Sequence, residues 1–332
     1  MTRLTVLPEE NDVRLDRVLE RLLPDMGLRG RRRLCELGLV EVNGRPAPPS
    51  RKMRPGDAVE VREAAPADAP TPSAETLATD AHHNRLFPED NPRLVTRTPH
   101  LAAVYKPASM HTEALAGKPG VSLQSMLPEI LGEACRATLL NRLDFPTSGL
   151  ATAALDELGE RQYRDAQDRG LTVKRYLALL EGALEHDALA AQKLLLKNRS
   201  RVLVELAEHP DKRRHTEVHP LAVLDAADIC RRLHLKEHGW TGSLPSAVTL
   251  AGCTILKGAR HQIRAHCSAL GHPLLGDRRY GAQLHPGEQD DEAFFLHHGR
   301  LIMPALDALA LPVWLPLLDG RTAAQAERWL KS

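Results

Sequence analysis

Residues 64–80 (AAPADAPTPSAETLATD) hold almost no bulky apolar side chain, and three of them are Pro66, Pro70 and Pro72. Such a stretch cannot join a packed core, and its prolines keep it semi-stiff, so it reads as a linker between separately folded bodies. A chain of 332 residues interrupted there must build two cores, a small one before the break and a large one after it. With aromatics at 3%, those cores rest on Leu, Val, Ile and Ala. The longest apolar stretch, 308–318, is too short to span a bilayer and is broken by Pro312 and Pro316, so no membrane partner is expected. The first residues carry no apolar run after their one positive charge, which argues against a signal peptide. Cysteines 35, 135, 230, 253 and 267 make no CxxC pair, which fits a reducing, cytoplasmic setting.

Residues 12–62 read as the small body, and 64–92 as the linker. Leu15, Val18, Leu19 and Leu22 fall at helical spacing, ended by Pro24 and Gly27. A second helix over 29–37 carries Arg29, Arg31, Arg32 and Arg33, with Gly38 just past its end. Residues 39–42 alternate as a strand into Asn43-Gly44, a tight-turn pair, and 58–62 alternate again. Residues 1–63 hold 13 Lys and Arg against 11 Asp and Glu, while the rest hold 31 against 32. The net charge of +1 therefore hides two basic knots, the arginine helix and Arg51, Lys52 and Arg54. Their placement suits a phosphate backbone, although a run of charge is by default a solvated face.

From Leu101 to about residue 318, strands and helices mix without a regular βαβ beat, which predicts an α+β domain over 93–320. Three strings there carry candidate chemistry. Asn141-Arg142-Leu143-Asp144-Phe145-Pro146-Thr147-Ser148-Gly149-Leu150 describes an exposed turn, whose Asp144 is either a nucleophile or a turn residue bonding its own backbone. Lys174-Arg175-Tyr176-Leu177-Ala178-Leu179-Leu180 is strand-like, with one tyrosine. In 258–281, Ile263, Cys267 and Leu270 make an apolar helical stripe capped by Gly271, and Arg264 lies one step round from it. His261, His266, Cys267 and His272 crowd the same region, but adjacent residues on a helix point about 100° apart and chelate poorly, so no metal site is expected.

Together these strings resemble the RluA-type family of RNA pseudouridine synthases. RLDFPTSGL is similar to the family's nucleophile motif, KRYLAL to its tyrosine motif, and HQIRAH with GHPLLGD and YG to its arginine motif. VYKPASMHT and FLHHGRL match weaker family segments in the right order. Residues 12–62 resemble an S4-type RNA-binding domain. The resemblance implies a mixed, largely antiparallel sheet with flanking helices, preceded by a small S4-like RNA-binding domain. It implies isomerisation of uridine to pseudouridine, with no metal or redox cofactor. By that resemblance Asp144 is the nucleophile, acting on the sugar or the base of a flipped-out uridine. Tyr176 packs on the base and is the candidate to take its C5 proton, and Arg264 pairs with Asp144. Arg142, Ile263, Lys106 and His261 are expected at the substrate, and Arg29, Arg31, Arg32, Arg33, Arg51 and Lys52 on RNA phosphates. Structured RNA is the expected partner, ribosomal RNA ahead of tRNA, and a monomer the expected state.

Departures from the family pattern are Asn141 where it has His, Phe145-Pro146 where it has polar residues, and Ala259-Arg260 before the arginine motif. Residues 186–246 match it poorly, as an insertion touching RNA or as divergent surface. The rival reading is an RNA-binding, ribosome-associated module without activity. A glycosidase is disfavoured because it wants two carboxylates across the bond and only Asp144 lies in a site string.

Overall fold

The structure, a computed structural model, describes residues 2–23, 31, 34–35, 38–61, 86–87, 90–114, 121–132, 136–196, 202–287 and 293–332. The linker run 64–80 and Arg29, Arg32 and Arg33 lie outside the described residues. The chain divides into two compact units, one of Met1–Leu77 with Ala114–Gly120 and one of Ala78–Glu113 with Val121–Ser332.

The small unit is an antiparallel sheet of β1 (Thr2–Thr5), β2 (Val40–Val42), β3 (Arg45–Pro46) and β4 (Ala58–Val61), in the order β1-β4-β2-β3. Leu15, Val18 and Leu19 pack on Val40, Val42, Met53 and Val59. The turn between β2 and β3 places Asn43 and Gly44 at φ 54° and 77°, the positive values that this hairpin connection demands. The expected start at residue 12 is too late. Leu4 and Val6 alternate inward, and β1 pairs with all of β4. The helical run from Leu15 is also shorter than its spacing suggested, ending at Val18.

In the large unit the strands are β5 (Arg93–Arg97), β6 (Leu101–Lys106), β7 (Thr138–Leu139), β8 (Ser148–Ala154), β9 (Val173–Glu181), β10 (Ala188–Ala190), β11 (Gln192–Leu196) and β12 (Val202–Glu208). They continue as β13 (Thr216–Leu224), β14 (Trp240–Gly242), β15 (Val248–Ile255), β16 (Leu284–Pro286), β17 (Leu296–Met303) and β18 (Leu306–Leu309). Ten of them form one sheet in the order β10-β13-β15-β9-β17-β8-β6-β5, with β18 on β17 and β7 on β8. Its pairings are antiparallel except for β8 with β17, so the sheet is mixed and largely antiparallel, in an α+β fold.

Strand β9 shows how the sheet sorts its two faces. Leu177 and Leu179 join Leu250, Ile229, Ala326 and Leu330 in one core, whereas Tyr176, Ala178 and Leu180 join Cys253, Ile263 and Cys267 in another. The first core takes in the terminal helix Gly320–Lys331, capped by Asp319, so the domain runs past the expected end at 320. It also starts earlier than 93, because Leu86 and Phe87, assigned to the linker by sequence, pack on the same core. Much of the poorly matching 186–246 segment is sheet rather than surface, since β13 pairs with β15 along its length and the helix Ala226–Arg232 buries Ile229 and Cys230.

Gly149 lies at φ 112° where β8 meets β17, and a Cβ there would sit 2.3 Å from the His298 carbonyl oxygen. Gly149→Ala should therefore cost at least about 2 kcal/mol of unfolding free energy, through strained backbone and a clash with immobile main chain. The urea midpoint reads this directly, and an unchanged midpoint would refute it.

Candidate active site

The helix Gln262–Ala269 starts with His261 in the left-handed region, at φ 53°, an uncommon conformation for a residue with a Cβ. It ends in two C-terminal bonds, Gly271 N–H to Ser268 O and His272 N–H to Cys267 O, with Gly271 at φ 86°. So anchored, the helix buries Arg264 to 1% exposure. Arg264 Nε and Nη2 donate to Asp277 Oδ2 and Oδ1 at 2.6 and 2.9 Å, and Nη1 donates to Asp144 Oδ2 at 3.1 Å. Its guanidinium also lies over the Phe294 ring, 4.4 Å from the centroid. Burial opposes the charge on Arg264, but Asp277 and Asp144 outweigh it and push the pKa up. The carboxylate of Asp144, unlike that of Asp277, keeps 26% of its side chain exposed. One carboxylate thus orients the arginine from inside, and the arginine presents an Nη1–H to a carboxylate that is partly exposed.

The loop bearing Asp144 is held by its neighbours. Thr112 Oγ1 donates to Leu143 O and accepts from Leu143 N–H, at 2.8 and 3.1 Å. Lys106 Nζ donates to Pro107 O, Met110 O and Phe145 O at 2.8, 2.8 and 3.1 Å. These bonds match all three protons of the ammonium, and the side chain is fully buried. Lys106, expected at the substrate, is thus fully buried and ties the Pro107–Met110 stretch to the Phe145 carbonyl. Burial pushes its pKa down to about 7, against the pull of Asp144 and Asp90. Asn141, the first departure from the family pattern, accepts from the Thr152 amide at 2.7 Å and pins the turn to β8. Phe145 packs on His111, ring centroids 4.5 Å apart.

Tyr176, on β9, stacks on His298 of β17 with centroids 4.5 Å apart and planes 14° from parallel. Burial, then Tyr163 and Asp144, push the Tyr176 pKa up, so its hydroxyl is protonated at neutral pH. His261 Nε2 lies 3.8 Å from Asp144 Oδ1, and its Nδ1 lies 3.0 Å from the Tyr280 hydroxyl. Ile263 is buried in the same core cluster as Leu143 and Tyr176. Arg142 is exposed and lies 3.7 Å from Glu113.

Burial pushes His261 and His297 down to about 4 and His298 down to about 3. Unfolded, all three titrate near the ordinary value of 6.5. Between pH 6.5 and 4 the unfolded chain therefore binds more protons than the fold, and stability is lost as pH falls through that window. His298→Phe should remove one such proton, flattening stability against pH by about 1.4 kcal/mol per pH unit between pH 6 and 4.5. Denaturant titrations at several pH values measure the slope, and an unaltered slope would mean that His298 is charged in the fold.

Sequence reasoning missed Asp277 and Phe294. Asp277 closes the GHPLLGD string, and the signal for it was electrostatic, since a buried arginine facing one half-exposed carboxylate needs a second counter-charge. His266 and His272, crowded beside His261 in sequence, do not converge on a common point. His266 bonds to Thr216 Oγ1 and Gln192 O, and His272 to Glu181 O.

Residues 100–269 match the family model for RNA pseudouridylate synthases, over more than half of the chain. The chain belongs to this family. It is an RNA pseudouridine synthase of the RluA type, an isomerase of uridine in RNA. The ribosomal large subunit pseudouridine synthase D of Escherichia coli is 26% identical over 326 residues, covering 95% of this chain and 87% of its own. An uncharacterized RNA pseudouridine synthase of Aquifex aeolicus is 29% identical over 284 residues, covering 82% and 78%. The solved structure of human RNA pseudouridylate synthase domain containing 1 superposes with a TM-score of 0.52 at 22% identity, over 73% of this chain and 95% of that one, and shares the fold. Among the described residues no helix is long and apolar enough to cross a membrane.

Proposed function

We propose that this synthase modifies uridines of large-subunit ribosomal RNA, with Asp144 as the nucleophile on the sugar or base of a flipped-out uridine. The observation that carries the reading is the division of Arg264 between buried Asp277 and half-exposed Asp144. Arg264 holds the Asp144 carboxylate in place through a charge-assisted hydrogen bond from Nη1 at 3.1 Å. Cleaving the C–N bond and forming the C–C bond leaves one proton to remove from C5. Tyr176, the candidate to take it, starts protonated and must pass its own proton on as it does so. The relatives named for the ribosomal large subunit favour ribosomal RNA. Pseudouridine mapping of total RNA from cells with and without the gene tests this. Loss of modification at one or a few large-subunit positions is expected, and loss only in tRNA would replace the substrate.

The small unit is proposed as the S4-like part that grips RNA backbone, with residues 64–80 as its linker. Arg31 leaves the expected set of phosphate-binding residues. It is 5% exposed and pairs with Glu20 at 3.0 Å. Lys52 is exposed but already held by Asp12, at 3.0 Å from its carboxylate. Arg29, Arg32, Arg33 and Arg51 remain the proposed phosphate ligands. Replacing Arg29, Arg32 and Arg33 by Gln should lower the slope of log affinity against log salt by roughly 0.7–0.9 for each phosphate no longer neutralised. An unchanged slope would make these three charges a solvated face.

A further inference from the structure

One side chain touches both halves of the proposed machinery. His298 stacks flat on Tyr176, and its Nδ1–H donates to Leu150 O at 2.6 Å. Leu150 stands on β8, the strand that leaves the Asp144 loop, two residues past Ser148 where β8 begins. The contact is rigid on that side, because Gly149 lets the His298 backbone approach closer than any side chain would permit. On its other flank Tyr176 is in register with buried Cys253 of β15. The tyrosine ring therefore stands between the side chains of two neighbouring strands, with His298 covering one face.

We infer that His298 is a positioning residue that fixes the Tyr176 ring and couples it to the strand carrying the nucleophile loop. The inference rests on the assignment of Tyr176 to the flipped base. Histidine meets two requirements at once. A phenylalanine could stack on Tyr176 but not bond to Leu150 O, and an asparagine could bond but not stack. Full burial keeps the imidazole neutral, and the carbonyl of Leu150 places its single proton on Nδ1. That bond stops the ring from turning about its own axis, so the surface offered to Tyr176 has one orientation. A base held by Tyr176 then meets Asp144 at a reproducible distance, and small errors in such placement are expensive in rate.

The test compares kcat and KM for wild type, His298→Ala, His298→Phe, His298→Asn and Tyr176→Phe on one RNA substrate, with thermal melts of each. His298→Ala should lose roughly 10- to 100-fold in kcat while KM moves by less than about threefold, because the base still binds but meets a loosened ring. His298→Phe should recover part of that loss through stacking, short of wild type because the Leu150 bond is missing, and His298→Asn should recover less. Wild-type kcat in a folded His298→Ala, a defect confined to KM, or Asn rescuing better than Phe would each overturn the inference. If His298→Ala does not fold, the order of Phe and Asn decides alone. A dead Tyr176→Phe beside a fully active His298→Ala would sink the role of His298 only. A fully active Tyr176→Phe would sink the assignment of Tyr176 and the positioning role with it.

Discussion

Asp144→Asn is expected to lower kcat/KM by roughly 10⁴-fold or more, the scale on which loss of a nucleophile is felt. RNA affinity should stay within about twofold of wild type, a free-energy change too small to reflect a damaged binding surface. The amide matches the carboxylate in shape, and its oxygen can still accept the Arg264 Nη1–H that now reaches Asp144 at 3.1 Å. Arg264 would also keep the two hydrogen bonds it donates to Asp277, so the helix Gln262–Ala269 should hold its place. Filter binding alongside single-turnover pseudouridine formation separates the two quantities. Full turnover by the variant would remove Asp144 from the chemistry. Equal losses of binding and rate would recast it as an RNA-binding residue.

Asp277→Ala carries the largest expected effect on stability. It would take from the guanidinium of Arg264, 1% exposed, the buried carboxylate that binds it twice, leaving the partly exposed Asp144 beside it. Removing one partner of a buried pair costs about 3–5 kcal/mol, because the remaining charge stays desolvated. The urea midpoint should fall accordingly, and turnover should fall with it as Nη1 loses its aim. Arg264→Met combined with Asp277→Leu removes both charges, so it should recover much of the stability and none of the activity. A midpoint for Asp277→Ala equal to that of wild type would show that the pair contributes nothing to holding the helix. Recovered activity in the double variant would show that Asp144 works without the arginine.

Much of the architecture was readable in the chain. Asn43-Gly44 announced its hairpin, and Gly271 marked the end of the helix Gln262–Ala269. Each is a local effect, set by backbone preference within a few residues. Boundaries were less legible. Thr2–Thr5, Leu86, Phe87 and the helix Gly320–Lys331 belong to cores formed with residues far away in sequence. The same distinction divides the site. Asp144, Tyr176 and Arg264 were named from three separate strings, but the burial of Lys106, Ile263 and Arg31 was not legible there. Exposure depends on which face of a helix or sheet meets a neighbour, and a basic residue reads the same whether it faces water or three carbonyl oxygens.

The sequence alone determined the class of chemistry, because the motif strings carry the reactive groups whatever surrounds them. Only the tertiary structure decided how those groups are held. Asp277 lies 13 residues beyond Arg264, Asp144 120 residues before it, and His298 148 residues from Leu150. No local pattern encodes such pairings. They arise because a buried charge must find a counter-charge and a buried ring nitrogen an acceptor, and the packed sheet determines which partners lie within reach.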